Sequence, residues 1–427
     1  MKEGMRMGRD AQSKSRDLFI VEVVCATVIG NLVGGVLLSG YLDHIGLSPK
    51  LNGIISAIPV AATVFQPLGA MLGQRSGNCK RFVVTFAVVQ RLLFAGFYCI
   101  PLLLGVDVRA ATAVLIFGCA NGFAAFMTPS ATNWLMDLTP GDLRQGYFSR
   151  REIALVATGA VMNLLMGFLI QYFTGAGAAR QGYFILSCVL LLFAGINIFC
   201  LLSIQAPPSA PSAAARPPRD ILLKPLRDRR FRPVILAICL YEFGAQCALP
   251  FWNIHTLSNL KLSYVYLTVL GVAVSLGKVF TLKLWMRLGG RRVWSQVCVF
   301  AFAAIGLSHL LNALAWEGMA VWYMLIPSAA GTLGWALVGM GTLNFEYDNV
   351  EGEDQAIYIG VVAVAAGVVG FLGTLLGGVI MDLVDAWGPV VAGRPVAGQQ
   401  VQMVLSCILL LCAAGYLHSA VRRGVVH

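Results

Sequence analysis

Long apolar runs, separated by short clusters of charge, repeat along the whole chain, and their length carries the message more than their period. A helix needs roughly 20 apolar residues to cross a hydrocarbon layer about 30 Å thick. Windows of that length predict twelve crossing helices, near 18–42, 51–73, 82–104, 111–136, 153–173, 181–203, 233–256, 263–285, 293–313, 318–343, 357–383 and 400–420. Ten-residue segments of alternating polarity, which a barrel requires, are absent, so an all-α polytopic bundle remains as the spanning solution.

Composition agrees. Of 427 residues, 58% are hydrophobic and 12% charged, against about 25% charged in ordinary soluble proteins. So few charges spread over a water-facing surface would leave large apolar patches bare. The basic residues then orient the helices. With the N-terminus inside, 23 of the 31 Lys and Arg fall in inner segments, five in outer loops (Lys50, Arg109, Arg180, Lys261, Arg394) and three within helices. That asymmetry is the positive-inside pattern, and it predicts a multi-pass inner-membrane protein with both termini cytoplasmic. The net charge of +11 is then accounted for by loops beside the lipid bilayer, and no nucleic-acid partner is expected. The basic-then-apolar start reads as an uncleaved first helix, since its apolar run is about 25 residues long, beyond the 7–15 of a signal peptide.

One stretch departs from the rest: "QAPPSAPSAAARPPRDILLKPLRDRRFRP", 205–233. It is too polar to span and reads as a cytoplasmic linker, extended at first and then basic and amphipathic around Ile221 to Phe231, fit to lie on a membrane surface. It divides the chain into an N-terminal bundle over 1–203, a linker over 204–232 and a C-terminal bundle over 233–427. The halves echo each other at offsets of 210 to 215: "LGQRSGNCKRFVV" with "LWMRLGGRRVW", "GLSPKLNGIISA" with "KLSYVYLTVLGV", and "LRQGYF" with "EDQAIY". Two pseudo-symmetric six-helix bundles follow.

Two six-helix halves, a basic central loop and Arg-Gly turns after helices 2 and 8 resemble the major facilitator superfamily. The first turn keeps Arg75, Gly77, Lys80 and Arg81, with Gln74 where the family usually has Asp. The second keeps Arg287, Gly289, Arg291 and Arg292, with Met286 at that place. The Pro-Gly signature of many drug/proton antiporters is missing from helix 5, "ALVATGAVMNLLMGFLIQYF". The resemblance implies a transporter of a small-molecule substrate, with helices 1, 4, 7 and 10 around a central cavity.

Residues at i, i+4 and i+7 share a helix face, which tests that implication. Helix 1 offers Thr27 and Asn31, helix 4 Asn121 and Thr128, helix 7 Gln246 and Asn253, and helix 10 Thr332 and Trp335; Asn163 in helix 5 joins them at one remove. Asn31 and Gln246 are equivalent under the 215-residue offset, and a carboxamide from each half is expected to face the cavity. Ordinary helix–helix glue is the competing reading for any one of these groups. Three charges, Glu242, Lys278 and Arg91, lie about eight or nine residues inside their helices, roughly 12 to 13 Å deep. Intramembrane charges are costly and mark pathways, relays or buried pairs. Glu242 has three readings: an ion pair with Lys278, a contact to a cationic or hydroxylated substrate, or a proton carrier between the two sides. Arg91 reads as structural, and Glu22 as reaching interfacial water.

The inner loops carry candidate gating groups: Arg75, Gly77 and Arg81 after helix 2, Asp137 and Arg144 after helix 4, and Arg287, Gly289 and Arg291 after helix 8. Pairs among them would hold one state and break in the other. No catalytic constellation, nucleotide loop or metal-ligand spacing occurs, and no cofactor or metal is expected. A monomeric secondary transporter or facilitator is the reading. The alternatives are a polytopic lipid or acyl transferase, and a non-transporting receptor or assembly factor.

Overall fold

The computed structural model describes residues 2–99, 103–139, 141–206, 218–288, 293–350, 355–391 and 393–426. All twelve predicted spans are helical. Span 1 is Lys2–Leu32 continued by Gly35–His44; span 2 is Pro49–Ala62, a 3-10 turn at Thr63–Phe65, and Gln66–Arg75. Spans 3 to 6 are Cys79–Phe97, Val106–Leu138, Gly141–Gly175 and Ala179–Ser203. Span 7 is Arg232–Gln246, then a 3-10 turn at Leu249–Phe251, Trp252–Ile254 and a π turn at His255–Asn259. Span 8 is Tyr264–Leu288 and span 9 Trp294–Ala313. Span 10 enters through Ala320–Tyr323 and bends into Leu325–Asp348, and Gln355–Trp387 and Gly398–Arg422 form spans 11 and 12. A helix over Pro218–Arg227 precedes span 7. A two-residue ribbon between spans 11 and 12, β1 (Val390–Val391) with β2 (Arg394–Pro395), is the exception to an all-helical fold among the described residues.

Ten of these segments are long and apolar enough to cross a bilayer, and the bent span 10 makes an eleventh. Span 3 is the twelfth: 19 residues that include Lys80, Arg81 and Arg91.

The described residues gather into two compact units. One holds Met1–Leu47 with Phe65–Ala214, the other Ser48–Val64 with Ala215–His427. The division crosses span 2 where its helix is interrupted. The first unit is built round aromatic side chains: Trp134, fully buried, meets Phe19 edge-on at 5.2 Å, and Tyr41 touches Tyr98, Tyr183 and Phe97. In the second unit, Tyr241 stacks on Phe302 at 4.5 Å and Phe231 meets Tyr358.

The interruptions follow from the residues at them. In a bilayer a backbone group that loses its helical partner has no water to turn to. Proline removes a donor, so the carbonyl four residues earlier is left open. Pro250 does this to Gln246 in span 7, and the Thr374 hydroxyl of span 11 donates to that carbonyl at 3.1 Å. The Gly244 carbonyl likewise accepts from the Ser406 hydroxyl of span 12 at 2.5 Å. In span 1 the helix breaks at Val33–Gly34 and resumes at Gly35 with φ +53°. The Tyr98 hydroxyl donates to the Leu32 carbonyl that ends the first piece. In span 2, Thr63 returns its hydroxyl to the Val60 carbonyl at 2.7 Å, beside Pro59 and Pro67.

Span 11 packs on span 7 through a glycine face. A Cβ at Gly373 would collide with the Phe243 carbonyl, and one at Gly377 with the Cys247 carbonyl. On the neighbouring strip of the same helix, Gly367 and Gly370 admit Thr63 and Val60 of span 2, and Gly378 the methylenes of Lys50. Lys50 and Asp382 close that contact with an ion pair.

The bond from Thr374 generates a test. Thr374→Val keeps shape and removes the donor, so the Gln246 carbonyl is orphaned at a cost of about 1–3 kcal/mol. A clear fall in melting temperature of the detergent-purified protein is expected. Thr342→Val is the control: its hydroxyl only back-bonds to Val338 in its own helix at 2.9 Å, where the carbonyl keeps its helical donor, and it should melt nearly like the wild type.

Candidate functional site

In the second unit the interruption of span 7 creates the most distinctive polar group. Its first helical piece ends on Gln246, which is buried against Gly370 of span 11. The Gln246 carboxamide donates to the Glu242 carboxylate one turn earlier, at 3.4 Å. Thr374 holds the backbone of Gln246 at the same point. The carboxylate, the carboxamide and the break therefore form one constellation, fixed from span 11.

The Glu242–Lys278 ion pair that the sequence suggests is not formed. Among the described residues the ion pairs are Lys50–Asp382 and Lys261–Glu317, and Glu242 meets Gln246 instead. The reason lies in helix neighbours: span 7 packs chiefly on spans 11 and 12, whereas span 8 packs on span 10. Span 8 turns Gly277 toward Thr332, where a Cβ would come within 2.8 Å of the threonine methyl. Consecutive position in sequence did not make spans 7 and 8 partners.

Thr332 itself is buried and donates to the Ser328 carbonyl at 2.7 Å. Trp335 is half-buried, with its ring 6.5 Å from His309, and packs against the core of this unit. Asn253 lies half-buried beyond the break, in the short helix Trp252–Ile254.

In the first unit Asn31 is half-buried one residue before its helix ends, and its amide nitrogen lies over Gly159 of span 5, with the Thr27 methyl beside it. The interruptions of spans 1 and 7 thus fall at nearly equivalent places, after Leu32 and after Gln246. Asn121 is buried and donates to Phe117 at 2.8 Å, and Thr128 is exposed and donates to Ala124 at 2.7 Å. Both are back-bonds within span 4. Asn163 is half-buried in span 5.

Arg91 belongs to a different cluster. It is 3% exposed, and its guanidinium donates to Gln90 and, at 3.3 Å, to Asn197 of span 6. Asn197 in turn donates to the backbone carbonyl of Glu22 at 2.8 Å and to its carboxylate at 3.1 Å. Glu22 therefore takes part in a buried network joining spans 1, 3 and 6, where the sequence suggested contact with interfacial water. Neither Gln90 nor Asn197 stood out in sequence; the usable signal was that a buried arginine requires acceptors. The sequence likewise gave no notice of the His309–Ser406 hydrogen bond at 2.7 Å, which ties span 9 to span 12 in the second unit.

Of the gating groups, Arg75, Arg81 and Asp137 are exposed, and Gly77 takes φ +66° at the turn. Among the described residues no ion pair joins Asp137 to Arg75 or Arg81. Lys80, between them in sequence, donates to the carbonyls of Leu202 and Ile204 at 2.6 and 2.7 Å, closing the end of span 6. Gly289 and Arg291 lie outside the described residues, as do the side chains of Arg144 and Arg287.

A sequence profile described as Major Facilitator Superfamily matches residues 18–374. Among curated proteins none matches the chain. Three solved structures show what the fold is similar to. The POT family transporter PepTSo aligns at 12% identity over 96% of this chain and 98% of its own, with TM-score 0.74. The nucleoside transporter NupG aligns at 10% identity over 96% and 99%, TM-score 0.67. A bacterial homologue of the human lysosomal transporter Spinster, inward-facing and occupied, aligns at 16% identity over 97% and 97%, TM-score 0.62.

The Arg91 network predicts a distinctive pair of variants. Asn197→Leu strips an acceptor from a buried cation and is expected to cost about 3 kcal/mol or more. Adding Arg91→Leu together with Glu22→Gln removes both stranded charges and should recover much of that loss, read as melting temperature of the single and combined variants.

Proposed function

We infer that this chain, which belongs to the Major Facilitator Superfamily, moves a small polar molecule by alternating access, with Asn31 in one half and the Glu242–Gln246 pair in the other as its substrate-binding groups. As a multi-pass secondary transporter it needs a polar site near mid-membrane that both sides reach in turn. The observation that carries this reading is the matched interruption of spans 1 and 7, each beside a carboxamide that the repeat relates. Thr27, Asn121, Thr128, Asn163 and Asn253 supply further neutral polar groups on the expected faces. Thr332 and Trp335 shape the wall from span 10.

The chemistry favours a neutral or cationic substrate bearing hydroxyl or amide groups. Glu242 is the one carboxylate in the constellation, and Arg91 is held inside its own network, away from an anionic cargo. Peptides and nucleosides, the cargoes named for the POT family and NupG, both meet that description. Glu242 meets the substrate's donor groups directly, and Lys278 on span 8 does not neutralise it. We assign the chain no catalytic role.

The distribution of basic residues supports insertion in the cytoplasmic membrane with both termini inside; the proposed working unit is a monomer of two six-helix bundles joined by the 204–232 linker. In that orientation Lys50 and Asp382 lie at the outer ends of spans 2 and 11, and their ion pair is a latch of the state described here. Arg75, Gly77, Arg81 and Asp137, with Arg144, Arg287, Gly289 and Arg291, are the corresponding inner groups.

Two measurements test this. A thermal-shift screen of di- and tripeptides, nucleosides and amino sugars on the purified protein should yield a stabilising compound. Gln246→Ala and Glu242→Gln should each weaken its binding about tenfold or more, near 1.4 kcal/mol. A hit that stabilises both variants as well as it does the wild type would remove the assigned site. Separately, Asp382→Lys should raise uptake or exchange rates where outer opening limits turnover, and the reversed pair, with Lys50→Asp added, should restore them. Unchanged rates in both would show that the pair is no latch.

A further inference from the structure

The turn between the linker helix and span 7 carries a concentrated positive charge. Lys224, Arg227, Arg229, Arg230 and Arg232 are exposed within nine residues, around Leu226, which is 43% exposed. Clusters of cations are common in loops, so the question is whether this one is built or merely present.

Three bonds show that it is built. The Asp228 carboxylate, the one acid in the stretch, accepts the backbone N–H of Arg230 at 2.9 Å and the hydroxyl of Tyr358 at 3.1 Å. Both acceptor oxygens are thus used inside the fold. Arg232 donates through Nε to the Leu226 carbonyl at 2.8 Å, capping the end of the linker helix. Phe231 is fully buried and meets the Tyr358 ring at 4.9 Å. The segment is clamped to the start of span 11, and the clamp consumes its acid. Among the described residues none of Arg227, Arg229, Arg230 and Arg232 makes an ion pair.

Position selects the partner. Arg232 is the first residue of a membrane-crossing helix, so the shelf lies at the boundary between hydrocarbon and water. There an exposed leucine enters the acyl boundary, and guanidinium groups, planar forks suited to phosphate oxygens, meet headgroups. A soluble acidic partner would leave Leu226 unexplained. We propose that residues 224–232 form a docking shelf for anionic phospholipid headgroups, which fixes the linker at the membrane surface beside spans 7 and 11. The leaflet concerned is the inner one if the orientation proposed above holds; the lipid contact itself does not depend on that orientation or on transport.

The experiment uses the full chain in nanodiscs, with the same lipid on both faces. Amide hydrogen exchange over 218–232 is compared in phosphatidylcholine alone and with phosphatidylglycerol added. Several-fold slower exchange with phosphatidylglycerol is expected, lost on combining Arg227→Gln, Arg229→Gln and Arg230→Gln, while exchange in spans 9 and 12 stays unchanged. It should also fade for the wild-type protein at about 1 M salt, where screening acts over about 3 Å, so the idea is testable even if the triple variant folds poorly. Equal exchange in the two lipids overturns the proposal, as does a difference that survives in the triple variant or in high salt. Inorganic phosphate that slows exchange equally in phosphatidylcholine discs would assign the shelf to a soluble anion and overturn it too.

Discussion

A carbonyl without a donor inside hydrocarbon is the constraint on which the arrangement of this protein turns. Water cannot reach it, so a break in a span calls for a side-chain donor, from another helix or from the same one. Tyr98 does this for span 1, and Thr374 and Ser406 do it for span 7. The breaks of the first and seventh spans fall beside Asn31 and at Gln246. Their rescue also decides which helices must stay together. Spans 7, 11 and 12 are bound by backbone-directed bonds as well as by the glycine face of span 11, where a methyl group would strike the carbonyls of Phe243 and Cys247. Packing and polar satisfaction point to the same neighbours.

Charge inside the bundle obeys a similar logic with two different outcomes. Arg91 is surrounded by Gln90, Asn197 and, through Asn197, Glu22. Its interactions are spent within its own unit, and it acts as mortar among three spans. Glu242, by contrast, meets a single neutral carboxamide. A buried charge that is fully coordinated stabilises one structure. One with a single neutral partner among the described residues, beside a helix break, is suited to exchanging partners, the property on which the carrier role proposed for Glu242 rests.

Hydropathy made the twelve spans legible, since the length of an apolar run decides whether a helix can cross. The repeat offset put Asn31 and Gln246 at matching places, and the helix ends at Leu32 and Gln246 agree with it. Pairings between helices were not legible. A periodic pattern gives a face but not the helix that will meet it, so the sequence offers Lys278 as one possible partner of Glu242, spans 7 and 8 being consecutive, while span 8 in fact packs on span 10. The same gap hid Asn197 as the partner of Arg91 and Ser406 as the partner of His309, each far away in sequence. Trp335 lies on the helix expected of it, with its ring 6.5 Å from that of His309.

The strip Ser48–Val64 has a consequence for dissecting the molecule. It is encoded among the first six spans yet clusters with the last six, filling the groove of Gly367, Gly370 and Gly378 and setting Lys50 on Asp382. A gene cut at the linker would therefore yield a C-terminal product missing a piece of its own wall, with bare glycines and an unmatched aspartate on one flank. Such a fragment is expected to need co-expression of its counterpart to be recovered intact, whereas a cut placed ahead of residue 48 would keep the strip and its groove on one polypeptide.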